Sequence, residues 1–160
     1  MTQSECLAEE IAEDLLYRTG RALVDGDMRW LDDCFHLPVL VETASGKQII
    51  RTEDGVHSTM RNVRRYLAAR DVVDVVRTVV DAQFVGPNLI GSTHVSSMLR
   101  SDGSTFRAPF PVFSMIRNFE GNWKIVSSTY AILDDPQHEN ILCQRTIDWQ
   151  NVTVDGATGT

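Results

Sequence analysis

From Val72 onward the chain is dominated by four runs rich in Val, Ile, Phe, Thr and Ser: Val72 to Val85, Leu89 to Arg100, Thr105 to Asn118, and Trp123 to Leu133. They are divided by Gly86-Pro87-Asn88, Ser101-Asp102-Gly103-Ser104 and Phe119-Glu120-Gly121-Asn122, each a compact turn signal. Links this short cannot carry a crossover, so consecutive runs must pair antiparallel and form a meander. Each run exceeds the typical strand of about 5 to 6 residues, and long paired strands twist and curve to stay packed. The chain is therefore bound to build a curved sheet with a concave side. Apolar residues on both parities of the late strands, Phe106, Phe110, Phe113, Met115 and Ile116, need cover on both faces. A second copy of the chain on the outer face is the simplest cover, which predicts a homodimer through the sheet.

The elements that fill the concave side precede the meander. Thr2 and Glu5 have capping-box spacing, and Leu7, Ile11, Leu15, Ala22 and Leu23 recur at helical steps, predicting a helix of about twenty residues. It closes at Asp25-Gly26-Asp27, where Gly26 can take a left-handed cap and Asp27 can cap a short helix from Met28 to Phe35. Pro38 stops that helix, and Leu37 to Thr43 and Gln48 to Arg51 read as a hairpin across Ala44-Ser45-Gly46-Lys47. Thr52 looks like the N-cap of a third helix whose stripe Val56, Met60, Val63 and Leu67 is core. Arg61, Arg64, Arg65 and Arg70 on the same helix read as a solvated basic side. Helices before strands favour a segregated α+β domain, residues 1 to 135. Asp134-Asp135-Pro136 breaks the last strand, and residues 136 to 160, with Ile141, Leu142, Ile147, Trp149 and a small polar end from Val152, read as a C-terminal arm.

Composition narrows function. The 160 residues carry 15 Lys and Arg against 22 Asp and Glu, a net charge of −7. That disfavours nucleic acid, whose recognition rests on clustered positive charge, and anionic lipid surfaces. No apolar run approaches the roughly 20 residues of a membrane helix, and Met1 to Asp14 holds five acidic and no basic residues, unlike a secretory signal. A cytoplasmic protein is expected. Cys6, Cys34 and Cys143 are odd in number and widely spaced, which suggests free thiols rather than a disulfide framework or a zinc site. There is no P-loop, GxGxxG or GxSxG, and no histidine pair at i, i+4, so neither a cofactor nor a metal is called for.

The element order, together with the Gly26-Asp27 turn leading to Trp30-Leu31 and Phe35 and with Gly121-Asn122-Trp123-Lys124-Ile125 at the start of the final strand, resembles the NTF2-like superfamily over about residues 5 to 133. The resemblance implies a cone: three N-terminal helices packed on a curved, mixed but largely antiparallel sheet, SnoaL-like or ketosteroid-isomerase-like. It implies no single function, because function resides in sites rather than folds. Ketosteroid isomerases use an aspartate base with a tyrosine and a protonated aspartic acid. Aligned on the Gly-Asp turn, the resemblance puts Thr19 at the tyrosine and Thr43 at the base, with Ser114 or Met115 near the third position, so that catalytic set is missing. Enzymes similar to scytalone dehydratase place histidines and a tyrosine in the cone, which makes His94 and Tyr17 the catalytic candidates.

The expected pocket takes apolar walls from Trp30, Phe35, Met60 and Val63, with Arg107 as a further polar group. It would suit a small hydrophobic or carboxylated ligand and cofactor-free proton transfer of dehydratase, isomerase or cyclase type. A structural histidine competes with the catalytic reading of His94, and a core ring with that of Tyr17. His36 and His57 read as surface residues, and His138 as isolated. The competing function is a non-catalytic assembly subunit, since Leu15 to Arg18, Trp30-Leu31 and Leu133-Asp134 loosely resemble the β subunits of aromatic-ring-hydroxylating dioxygenases.

Overall fold

The Thr2 hydroxyl accepts a hydrogen bond from the Glu5 amide at 3.1 Å, and the Glu5 carboxylate accepts one from the Thr2 amide at 2.7 Å. This reciprocal cap starts helix α1, Gln3–Asp25, in a computed structural model that describes residues 2–143. The buried face of α1 is Ala8, Ala12, Leu15, Thr19 and Ala22, spaced by three or four, and its alanines let the helix lie close to the sheet. Gly26, at φ 76°, ends it in the left-handed region, where the Cβ of any other residue would collide with the Arg64 guanidinium.

The second helix is shorter than its cap predicts. Asp27 caps only a 3₁₀ turn, Met28–Trp30, and Phe35 already belongs to strand β1, Phe35–Thr43. β1 turns into β2, Gly46–Ile50, as the expected hairpin. Thr52 then caps α2, Glu53–Ala68. The meander follows as β3, Val72–Gly86, β4, Leu89–Arg100, β5, Phe110–Phe119, and β6, Asn122–Tyr130. The third run pairs continuously only from Phe110, since Pro109 just before it has no N–H to give to a ladder.

All six strands form one sheet in the order β2-β1-β6-β5-β4-β3. Every neighbouring pair is antiparallel except β1 with β6, which run parallel. That pairing skips between Phe35 and Leu40, where Pro38 lacks a donor. The sheet is thus mixed, and the architecture is α+β.

The expectation of three N-terminal helices is corrected. Beyond the 3₁₀ turn, the third regular helix is C-terminal: α3, Pro136–Leu142. The last strand ends earlier than expected, at Tyr130, and Asp-Asp-Pro starts a helix, because the Asp135 carboxylate accepts from the His138 amide at 3.1 Å and Pro136 occupies the first turn, where no N–H is needed. The remainder of the expected arm, including Ile147, Trp149 and Val152 to Thr160, lies outside the described residues. Among those described, no helix is long and apolar enough to cross a membrane.

The core falls into two parts. Under α1, Leu15, Cys34, Ile90, Ile116 and Ile125 pack around the alanines. Under α2 and α3, Leu31, Val39, Tyr66, Val112, Ile132 and Ile141 form the larger cluster. The concave face of the meander also carries Ser92, His94, Ser96, Ser114 and Ser128, all buried. Serine at an inward position fills less space than leucine or phenylalanine, so this polar stripe leaves volume that the helices do not occupy.

Candidate functional site

A cavity of about 110 Å³ lies inside the cone. Phe35, Val39, Met60, Val63, Leu67 and Met98 supply apolar walls, and Arg77, His94, Ser96, Ser128, Tyr130 and His138 supply the polar ones. Among its described lining residues none is acidic. A larger groove of about 490 Å³ runs outside the cone between α1 and the β5–β6 turn. It is bordered by Glu10, Asp14, Arg18, Asp33 and Lys124, an open, charged surface. The interior cavity matches the pattern of a small-molecule site better, with apolar walls and a few convergent polar groups.

Four of the sequence candidates line the cavity: Phe35, Met60, Val63 and His94. Three do not. Tyr17 is 60% exposed and packs edge-on against Trp30 at 6.0 Å between ring centroids. Trp30 is itself 37% exposed, with its indole N–H donated to the Asp27 carboxylate at 3.0 Å. Tyr17 fails to enter because Leu15, Thr19 and Ala22 define the inward stripe of α1, and a residue two positions from Leu15 points to the opposite side. Arg107 sits at the root of α3, its guanidinium 5.1 Å from the Phe110 ring and paired with Asp134 and, at 3.6 Å, Asp135.

In the middle of β4, with Val79 on one side and Val112 on the other, sits His94, and Val112 is in turn opposite Tyr130. One strand step away, Arg77 faces Ser96, which faces Phe110. The Arg77 Nη2 donates to the Leu16 carbonyl at 2.7 Å and to the Thr19 hydroxyl at 2.8 Å. Thr19, placed by the family resemblance at a catalytic tyrosine, is thus the buried hydroxyl that steadies an arginine. Among the described residues no carboxylate pairs with Arg77. Burial lowers the Arg77 pKa and raises that of Tyr130, which the nearby guanidinium partly offsets. His94 is pushed down to about 3, first by burial and then by the Arg77 charge, so it is a neutral imidazole.

The sequence reading missed Arg77, Tyr130 and His138. Contrary to its expected isolation, His138 is 2% exposed and stacks on Tyr66 at 4.9 Å, with its edge toward Phe110. Burial, together with the charges of Arg107 and Arg70, lowers its pKa to about 3. Arg70 is likewise not on a solvated face. It is 4% exposed, lies 4.0 Å over the Tyr66 ring and donates to the Gln137 side chain. Arg64 also turns inward, donating from Nε to the Leu23 carbonyl at 3.2 Å. Of the remaining histidines, His57 pairs with Asp32 at 2.6 Å and His36 stacks on Phe119. Cys34 is fully buried, its thiol raised to about 11 chiefly by desolvation, which removes it as a nucleophile. Among the described residues, no group of three or more His, Cys, Asp or Glu is arranged to hold a metal ion.

Comparison with known proteins points the same way as the architecture. Residues 8–131 match a family described as NTF2-like protein (DUF6841). A search of curated proteins gave no match. Among solved structures, an NTF2-like protein with a cystatin-like fold from Novosphingobium aromaticivorans is 16% identical, with a TM-score of 0.61 over 86% of this chain and 89% of that one. An NTF2-like protein of unknown function from Pseudomonas putida is 11% identical, with a TM-score of 0.60 over 85% and 94%. A further N. aromaticivorans protein, named as a candidate aromatic ring hydroxylase, is 15% identical, with a TM-score of 0.58 over 83% and 94%. At these identities the likeness is one of fold.

Proposed function

The chain belongs to the NTF2-like family DUF6841, and from that premise we propose that its cone binds a small, mostly apolar molecule bearing one carboxylate, which Arg77 receives. The observation that carries this reading is a buried cation that no carboxylate pairs among the described residues: Arg77 lines the cavity and donates to a carbonyl and a hydroxyl. A guanidinium drawn out of water is costly unless paired, and a bound carboxylate is the geometry it fits best. Tyr130 and Ser128 line the same cavity, with the Ser128 hydroxyl hydrogen-bonded to that of Ser114 at 3.2 Å. A cavity of about 110 Å³ is smaller than the roughly 150 Å³ that admits benzene, so it encloses only the carboxylate end of a small acid, and because it is partly open the rest of a short chain reaches toward the mouth.

Within this reading His94 is the proton acceptor of cofactor-free chemistry of dehydratase, isomerase or cyclase type. Its low basicity comes first from burial and then from the Arg77 charge, so an anion seated on Arg77 offsets the second of these and raises that basicity. The test is titration of the protein with pentanoate and with 1-pentanol, followed by calorimetry or NMR, for the wild type and Arg77→Met. Pentanoate should bind more tightly than the alcohol, and the substitution should erase the difference. Equal binding of both compounds to both proteins would sink the proposal. Any turnover of such an acid should vanish in His94→Ala with folding intact.

The same reading includes a homodimer through the convex face, where Val76, Val80 and Phe113 are exposed beside half-buried Val95 and Met115. Exposed apolar side chains gathered on one sheet face are a feature of association surfaces. A second reading, a non-catalytic assembly subunit resembling those of ring-hydroxylating dioxygenases, draws on the same face. Native mass distinguishes them, because a stable dimer alone favours the first and dependence on a larger partner the second.

A further inference from the structure

Arg77 stands at a boundary between inside and outside. Together with Val75 it lines the interior cavity, and the same two residues line a groove of about 300 Å³ on the outer surface between α1 and β3. Two other grooves lack this property. The one beside the β5–β6 turn shares no lining residue with the cavity, and one of about 190 Å³ meets it at Phe35 and Val56, away from Arg77. Both hydrogen bonds of Arg77 leave from Nη2 and end on α1, while its Nε and Nη1 are not among the nitrogens that the described residues bury without a partner. The guanidinium lies this close to the helix because Gly20 has no side chain, since a Cβ there would stand 3.1 Å from Nη2. The cation is therefore fastened on its helix side and leaves two nitrogens for another group.

Apart from Arg77, the groove is walled by Leu16, Tyr17, Val24 and Val75, with Arg21 and Asp25 joined in an ion pair at 3.0 Å. Val24 is 41% exposed, an apolar side chain left in water within reach of the site. The two charges answer each other, so the groove sets no unpaired charge against an apolar guest. We infer that this groove is the outer subsite of the cone, and that the ligand is a monocarboxylic acid with an unbranched apolar chain longer than the cavity holds, its carboxylate on Arg77 and its chain laid outward along Leu16, Val24 and Val75. This rests on the reading of Arg77 given above and adds where the rest of the molecule goes. A chain is favoured over a second polar group because, beyond the paired ions, the groove offers mainly aliphatic surface. It is favoured over a partner's side chain because the groove is continuous, through Arg77 and Val75, with the space that takes the head of the acid.

The experiment compares pentanoate, heptanoate and nonanoate, each below its micelle concentration, as calorimetric ligands for the wild type, Val24→Gln and Arg77→Met. A methylene fully withdrawn from water is worth up to about fourfold in affinity, and a groove open on one side gives about twofold, so nonanoate should bind the wild type roughly tenfold more tightly than pentanoate. In Val24→Gln, which keeps a good helix former at a half-exposed position outside the cavity lining, most of that gain should disappear while pentanoate binding persists. The Val24 methyl resonances of the wild type should shift with nonanoate and not with pentanoate, a readout that does not depend on any variant folding. If pentanoate binds through Arg77 but affinity stays flat with chain length, or rises equally in Val24→Gln, the outer subsite is overturned and the role of Arg77 stands. Val24 methyls that move with protein concentration rather than with nonanoate would assign the groove to a second copy of the chain and overturn it as well. If pentanoate binding is indifferent to Arg77→Met, both readings fall together.

Discussion

Mild acid should weaken this fold through two histidines rather than through its carboxylates. His94 and His138 are held near pKa 3 in the folded chain against about 6.5 when unfolded. Below pH 6.5 the unfolded chain takes up two protons that the native state refuses, so stability is complete above that pH and falls as pH drops toward 3. Between pH 7 and pH 5 the loss is about 2 kcal/mol for each histidine, or about 4 kcal/mol together. That is a large share of the roughly 5 to 15 kcal/mol typical of a domain. Asp135 acts in the opposite sense, since burial raises its pKa and the native state protonates it early, which is why the histidine slope is best read above pH 5. Urea midpoints at half-unit steps should give a slope approaching two protons, and His138→Phe should reduce it to one. NMR titration of the imidazole rings supplies the site-by-site check. A stability that stays level from pH 7 to pH 5, or a His94 ring titrating near pH 6.5, would show that water or an anion reaches these groups and refute the reasoning.

Three further outcomes follow from the packing. At pH 8, Ellman's reagent should label Cys6 rapidly and leave Cys34 untouched until denaturant is added, because Cys6 is exposed and Cys34 is buried with its pKa raised to about 11; Cys6→Ser should abolish the fast phase. Tyr66→Phe removes the hydroxyl that donates to Asp135 and should cost about 1 to 2 kcal/mol, with amide exchange in Pro136–Leu142 accelerating more than in the meander. If the proposed homodimer forms through the convex face, Phe113→Lys, at a side chain 48% exposed there, should lower the mass seen by light scattering to that of a monomer with little change in circular dichroism.

Much of the frame was written in local signals. The Thr2 cap, the left-handed Gly26, the Thr52 cap and the three turns of the meander each appear where a short stretch of chemistry fixes the backbone; alternation puts His94 on one face with Ser92 and Ser96, while which side that face takes is set by the helices that cover it. What stayed hidden was decided at a distance. The parallel pairing of β1 with β6 joins segments far apart in the chain, which no local pattern reports. Arg77 lies on a strand whose register shifts between Val72 and Asp74 and between Val79 and Asp81, so its facing could not be counted from either end. Tyr17 is the opposite case, because its side follows from its neighbours: the stripe of Leu15, Thr19 and Ala22 assigns it to the far side of α1. His138 belongs to a seven-residue helix, too short to show a periodic face, although Asp-Asp-Pro followed by Ile141 and Leu142 carried a usable cap signal.

The contact between β1 and β6 also governs the order in which this molecule can come into being. A nascent chain emerging from the ribosome can lay α1 on β3 early, but its β1–β2 hairpin has no sheet to join, because among the described residues the hairpin's other neighbour, β6, is made almost last. Productive folding must therefore wait for Asn122–Tyr130, and topologies closed by such distant partners assemble slowly. Fragments ending before that segment should remain soft and prone to stick to one another, whereas a circularly permuted chain that begins at β6 would meet its partner early.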